Sequence, residues 1–307
     1  MSSSTLNVIS LPPPDKDQAF CVVSAIEAGI LSLPSHFIFD SRDVDPASRW
    51  DVPCFAFLIQ HSATRKYFLF DLGFRKDYER LPPECVSALQ NAAPIRVSAH
   101  LDDKLREGGL DPAEITQIIL SHAHCDHSGD PSRFPRAKIV VHPETAEVAS
   151  KGYPMDQKSQ IAQDLLPGER TRVLDEQAGW SPLGPFRAHD FFGDGSAYVV
   201  DAPGHMPGHV NLLLRTSSDG AWLYLAGDAV HDWRLLRGEV RMAMGEDAHG
   251  HAFCKMHTNH AEAVKTIANI HALTKVPRVR VLLAHDVPWW EETQGKKGFW
   301  PETITSL

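Results

Sequence analysis

The sequence Ile115-Thr116-Gln117-Ile118-Ile119-Leu120 runs directly into Ser121-His122-Ala123-His124-Cys125-Asp126-His127-Ser128-Gly129-Asp130. The first part has the length and β-branching of a buried strand. The second part places three imidazoles and a carboxylate within six positions, where that strand ends and a loop begins. Sheets of α/β proteins present reactive groups at such strand ends. Neutral imidazole is the commonest zinc ligand, and a carboxylate can complete or bridge the set. Two neighbouring histidines are usually ordinary hydrogen-bonding residues. Four ligand-type side chains this close together, if buried without a cation, would leave several polar groups needing partners.

Working outward, the same pattern recurs. Strand-like Gly195-Ser196-Ala197-Tyr198-Val199-Val200-Asp201 leads to Pro203-Gly204-His205-Met206-Pro207-Gly208-His209. Ala221-Trp222-Leu223-Tyr224-Leu225-Ala226 ends at Gly227-Asp228-Ala229-Val230-His231. Val279-Arg280-Val281-Leu282-Leu283-Ala284 ends at His285. Further strands are expected over 20–26, 53–59, 66–71, 137–142 and 209–214, and helices over 84–91, 99–107, 143–150 and 260–273. Asn259-His260-Ala261-Glu262 reads as a capping box for the last helix. Asp71 in Asp71-Leu72-Gly73 is either a turn-former or a carboxylate supporting the site. His142 reads as structural. Residues 27–53 read as a long loop. Residues 151–195 read as a low-periodicity cover or substrate-shaping insertion carrying Trp180, Phe186, Phe191 and Phe192, with rim packing as the alternative. The chain falls into two similar halves, each with strands and then helices.

Composition sets bounds. A length of 307 residues and a hydrophobic fraction of 43% suit one α/β domain. Residues 1–17, with Pro12-Pro13-Pro14, read as a flexible tail, and 18–307 as the folded domain. A net charge of −9 argues against nucleic acid as a partner. Five scattered cysteines without a CxxC pair fit a reducing compartment. No basic-then-apolar leader and no membrane-length apolar stretch is visible, so a cytoplasmic, non-membrane protein is expected. The oligomeric state is not readable, a homodimer being one form consistent with the sequence.

The set His122-x-His124-x-Asp126-His127, His205, Asp228 and His285, spread over roughly residues 50–290, resembles the metallo-β-lactamase superfamily. Within it the Pro-Gly-His-x-Pro-Gly-His loop is similar to the N-acyl-homoserine lactonases and their fungal lactamase-like cousins. The resemblance implies an α/β fold, a four-layer αββα sandwich with a dinuclear metal site at one edge. It implies that His122, His124 and His205 hold one zinc, that Asp126, His127 and His285 hold the second, and that Asp228 bridges them; iron or manganese could replace zinc. His209 is not a ligand by this resemblance. Lactonases of this type usually carry a tyrosine three residues after the bridging aspartate, and here that position is His231, which can also donate a hydrogen bond to a substrate carbonyl.

The implied activity is opening of a small cyclic ester or amide (a lactone, a lactam or a cyclic carbamate such as a benzoxazolinone) by hydroxide held between zincs about 3.5–4 Å apart. Asp126 would double as proton shuttle, and His231 would stabilise the oxyanion. Cys125 is read as a packing residue rather than a nucleophile. Aromatic residues near His285 (Trp289, Trp290, Phe299, Trp300) and in 180–192 could wall the substrate or belong to the core. The alternative is a thioester hydrolase similar to glyoxalase II. An iron dioxygenase and a non-enzymatic scaffold rank lower, because all seven ligand positions are retained.

Overall fold

Residues 52–59 are buried along their whole length, which a strand with only one covered face would not allow. Phe55, Phe57 and Ile59 point one way, into a layer shared with Val199, Leu212 and Leu223. Ala56 and Leu58 point the other way, toward Leu101 and Leu105 of the helix Leu101–Glu107. The strand therefore lies in an inner layer of the molecule. The computed structural model describes residues 9–175 and 179–307.

The first sheet comprises β1 (Cys21–Pro34), β2 (Arg49–His61), β3 (Tyr67–Phe70), β4 (Ile95–Arg96), β5 (Ile115–Ile119), β6 (Lys138–Val141) and β7 (Thr171–Val173), in the order β4-β1-β2-β3-β5-β6-β7. Strands β3, β5, β6 and β7 pair in parallel. The second sheet comprises β8 (Trp180–Leu183), β9 (Phe186–Asp190), β10 (Ala197–Asp201), β11 (Val210–Arg215) and β12 (Trp222–Leu225). Its far edge is a later strand, reached after the hairpin β13 (Met244–Glu246) and β14 (Ala252–Cys254). That strand is β15 (Val279–Leu282), and the order is β15-β12-β11-β10-β9-β8.

Three apolar layers hold this together. The central one lies between the sheets. The helix Leu101–Glu107 covers the first sheet, and the helix His260–Leu273 lays Ile267, Ile270 and Leu273 over Leu213, Tyr224 and Val281 of the second. The result is the expected four-layer αββα sandwich. Each large side chain buried in these layers contributes roughly 1.5–3 kcal/mol.

Strand direction positions the site. β10 and β11 pair antiparallel, as do β11 and β12, while β12 and β15 pair parallel. Thus β10, β12 and β15 all point the same way, and the residues that follow them meet at one edge.

Three expectations change. Residues 27–53 are not one long loop. β1 continues to Pro34 through a register shift between Glu27 and Ile30, where Gly29 takes φ +136°. A Cβ at Gly29 would lie 3.0 Å from Phe74 Cδ2, so the bulge needs glycine for space as well as conformation. Residues 151–195 divide: Gln160 and Ile161 border the cavity beside Asp126 and His231, while β7 edges the first sheet, β8 and β9 end the second, and Phe191 and Phe192 pack on Phe68. Residues 176–178 of that stretch lie outside the described residues. So do residues 1–8 of the expected tail. Of the rest of the tail, Ile9 and Leu11 pack on the second sheet's outer layer, and Arg215 donates to Pro12 O and Pro13 O at 3.1 and 3.4 Å. No helix among the described residues is long and apolar enough to cross a membrane.

Candidate metal centre and cleft

The chain leaving β5 turns at Ser121, whose backbone N–H and hydroxyl donate to the Asp71 carboxylate at 2.7 and 2.8 Å. Ser121 O in turn accepts the Val210 N–H from the second sheet at 2.9 Å, tying the two sheets at this edge. From that anchor His122 and His124 project. His124 Nδ1 lies 2.9 Å from His122 Nε2 and 3.0 Å from His205 Nε2. One imidazole nitrogen has a single lone pair, so it cannot accept from both neighbours; the three nitrogens converge as ligands do. The helical turn Cys125–Ser128 presents Asp126 and His127. His127 Nε2 and His285 Nε2 each lie 3.5 Å from Asp126 Oδ2.

Asp228 stands between these two sets. Its Oδ1 is 3.1 Å from His127 Nε2 and 3.3 Å from His285 Nε2, while its Oδ2 is 3.5 Å from His205 Nε2 and 3.9 Å from His122 Nε2. The donor atoms of His122, His124, His205 and Asp228 lie within 4.8 Å of one another, and so do those of Asp126, His127, Asp228 and His285. All seven sequence-predicted ligand positions thus come together.

The opposite ring nitrogens are tied back. His127 Nδ1–H donates to Asp71 Oδ2 at 2.8 Å, His285 Nδ1–H to Pro53 O at 2.8 Å, and His122 Nδ1–H to Ser121 Oγ at 2.9 Å. Each bond fixes a tautomer and turns Nε2 inward with its lone pair free. His127 Nε2 and Asp228 Oδ1 are buried without a hydrogen-bond partner. Orphaned buried acceptors facing one another fit a bound cation.

Electrostatics agree. Burial, then the neighbouring imidazoles, push His122 well below its ordinary range, and burial likewise lowers His205, so both offer lone pairs. Burial also opposes charge on His127 and His285, but Asp228 and the other anionic groups outweigh it and raise both. That corner demands positive charge. His209 stays outside the set: its Nδ1–H donates to Ala202 O at 3.2 Å and its Nε2 accepts the Asp228 N–H at 3.0 Å. Burial holds it neutral, at about 3.

His231 lies over the centre, with Nε2 3.3 Å from Asp228 Oδ2 and both ring nitrogens unpartnered. It borders a cavity of about 160 Å³ whose floor is Asp126, Asp228 and His285 and whose walls include Leu31, Leu33, Phe74, Leu89 and Met256. Of the aromatics read as either cleft wall or core, those after His285 belong to the core. Trp289 stacks on Phe299 at 4.9 Å, Trp290 donates to Glu27 Oε2, and Trp300 donates to Leu105 O, because the chain after His285 folds back beneath β1. Cys125 borders the cavity, and a hydrogen bond with Cys85 together with burial holds its thiol well above the ordinary range, as a packing role requires. His142 accepts the Glu144 N–H at 3.3 Å and caps the helix Pro143–Ser150. Sequence reasoning missed the wall residues and the buried His257; nothing in the spacing around Met256-His257 marks either.

A family model described as the metallo-beta-lactamase superfamily matches residues 49–263. The chain belongs to that superfamily. Among similar members, the cytochrome P450 monooxygenase mpaDE' of Penicillium brevicompactum is 30% identical over 96% of this chain, although the chain spans only 38% of that protein. The gamma-lactamase FDB1 of Fusarium pseudograminearum is 35% identical over 74% of this chain and 58% of its own length. The fold of a mutant AiiA from B. thuringiensis, solved with N-decanoyl-L-homoserine bound at its active site, superposes with a TM-score of 0.68. It covers 93% of this chain and 99% of its own at 18% identity.

Proposed function

We propose that this metallo-beta-lactamase superfamily member is a dinuclear zinc hydrolase that opens a small, largely apolar cyclic ester or amide. The observation that carries this reading is Asp228, whose two oxygens face two separate groups of buried imidazoles. His122, His124 and His205 would hold one ion and Asp126, His127 and His285 the other, with Asp228 common to both. Bound zinc supplies Lewis acidity, lowering the pKa of water toward about 7 and polarising a carbonyl. Imidazole and carboxylate donors suit zinc, and iron or manganese could take the same places.

The chain's own groups do the rest. The aliphatic walls exclude water and take the apolar part of the substrate. His231, over the centre, donates a ring N–H to the carbonyl oxygen as it gains charge. Asp126, with Oδ2 turned toward His127 and His285, keeps Oδ1 to pass a proton to the leaving oxygen or nitrogen. Two relatives support the substrate class. FDB1 is named a gamma-lactamase, and the N-decanoyl-L-homoserine at the AiiA site is the open hydroxy acid that hydrolysis of a cyclic ester would leave.

The test is elemental analysis of the purified protein together with hydrolysis of a lactone, a lactam and a thioester. About two zincs per chain with ring opening is the expected result. Preference for the thioester would move the protein to the glyoxalase II-like class, and a single iron without hydrolysis would overturn the proposal.

A further inference from the structure

The wall behind His231 holds a histidine that belongs to neither ligand group. His257 is 3% exposed, and neither of its ring nitrogens has a hydrogen-bond partner; the same is true of both nitrogens of His231. The two ring centroids are 5.3 Å apart at 65°; no direct hydrogen bond joins their nitrogens, and one shared water would link them. The backbone around His257 is fixed: Thr258 N–H donates to His205 O and Asn259 N–H to Gly204 O, both at 2.9 Å. Met256, the preceding residue, is a cleft wall. A buried polar ring held this firmly is costly unless its nitrogens are hydrogen-bonded.

We propose that His257 is a positioning residue that sets the tautomer of His231, and so decides which His231 nitrogen presents a proton to the cleft. This rests on the reading of His231 given above. Two rings border His257, His205 at 5.4 Å and His231. His205 has Nδ1 without a hydrogen-bond partner and His231 has both nitrogens so; His231 is taken as the partner because it also borders the cleft, as Met256 next to His257 does. A neutral imidazole has one donor and one acceptor, so whichever it turns toward His231 selects the complementary nitrogen there.

The experiment uses the zinc-loaded chain with His257→Phe, His257→Asn, His231→Phe and the His231→Phe/His257→Phe double variant. Long-range proton–nitrogen correlation of the His231 ring reads its tautomer directly, independent of turnover. The wild type should show one tautomer, His257→Phe a mixture or the other form, and His257→Asn, which keeps a donor and an acceptor, the wild-type pattern. On the best cyclic substrate, His257→Phe should lower kcat about tenfold to a hundredfold with KM nearly unchanged and zinc content intact, and should add nothing to His231→Phe. An unchanged His231 ring, a loss that multiplies with that of His231→Phe, or a fall in zinc content, which would make His205 the partner, overturns the proposal. If the wild type opens no cyclic ester or amide, the hydrolase reading fails, and the ring spectra still decide whether His257 governs His231.

Discussion

Asp71 Oδ2 accepts the Nδ1–H of His127 at 2.8 Å, and the same carboxylate takes two further hydrogen bonds from Ser121. Asp71 does this at φ +59°, a left-handed conformation uncommon outside glycine. Three bonds to one buried carboxylate hold it there. Asn tolerates the same backbone, so Asp71→Asn removes charge and one acceptor without new strain. It should weaken metal binding by about tenfold to a hundredfold while leaving the fold intact. Competition with a chelator measures this, and an unaltered affinity would deny Asp71 any part in the centre.

His209 supports the other side. Its Nε2 is the acceptor for the Asp228 N–H, and Gly227 beside it has no room for a side chain, since a Cβ there would stand 2.8 Å from that nitrogen. His209→Phe keeps a ring in place but leaves a buried N–H unpaired. The expected cost is about 1–3 kcal/mol in denaturant unfolding. Full stability in the variant would mean that Asp228 is placed by its other neighbours alone.

Leu89 lines the cleft and is not one of the ligand residues. Leu89→Trp should fill much of the 160 Å³ cavity. Steady-state kinetics should then show KM rising at least severalfold for bicyclic substrates, and less for a single small ring, with metal content unchanged. Equal effects on both substrates would place the bound ring somewhere else.

Far from the cleft, Asp102 is buried under the guanidinium groups of Arg133 and Arg106. Burial raises its pKa, but the two arginines outweigh burial and hold it below the usual carboxylate range. A carboxylate depressed in the folded state stabilises above its unfolded pKa, and that stability is lost as pH falls through the folded value. Asp102→Asn should therefore lower Tm at neutral pH, and the gap to the wild type should close at strongly acidic pH. A gap independent of pH would show that packing, not charge, is what Asn disturbs.

The parts of the molecule legible in sequence are those whose signal is local. β5, β12 and β15 each announce themselves by a short apolar run, and His122, Asp228 and His285 follow closely. β1 beyond Glu27 is hidden because the bulge at Gly29 breaks the alternation that marks a strand. β8 and β9 are hidden because Pro182 on the edge strand β8, and Arg187 and His189 on its inner neighbour β9, break the apolar run that marks a strand. The Trp289 and Phe299 pair is ambiguous for another reason. An aromatic residue next to His285 in sequence can lie on either side of the turn, and only packing against Phe55 decides it. His257 is invisible because its meaning depends wholly on a ring 26 positions earlier in the chain, at His231.

The parallel pairing of β12 with β15 has a consequence for how the chain uses its length. Two adjacent strands joined by a hairpin would run in opposite directions, and His285 would then emerge at the far end of the sandwich from Asp228. Keeping both at one edge obliges the chain to travel the height of the molecule and return. The return leg is the helix His260–Leu273, and the outward detour is residues 226–259. That detour is where His231, Met256 and His257 are found. A crossover required by geometry alone thereby leaves spare chain over the edge where the ligand-type residues meet.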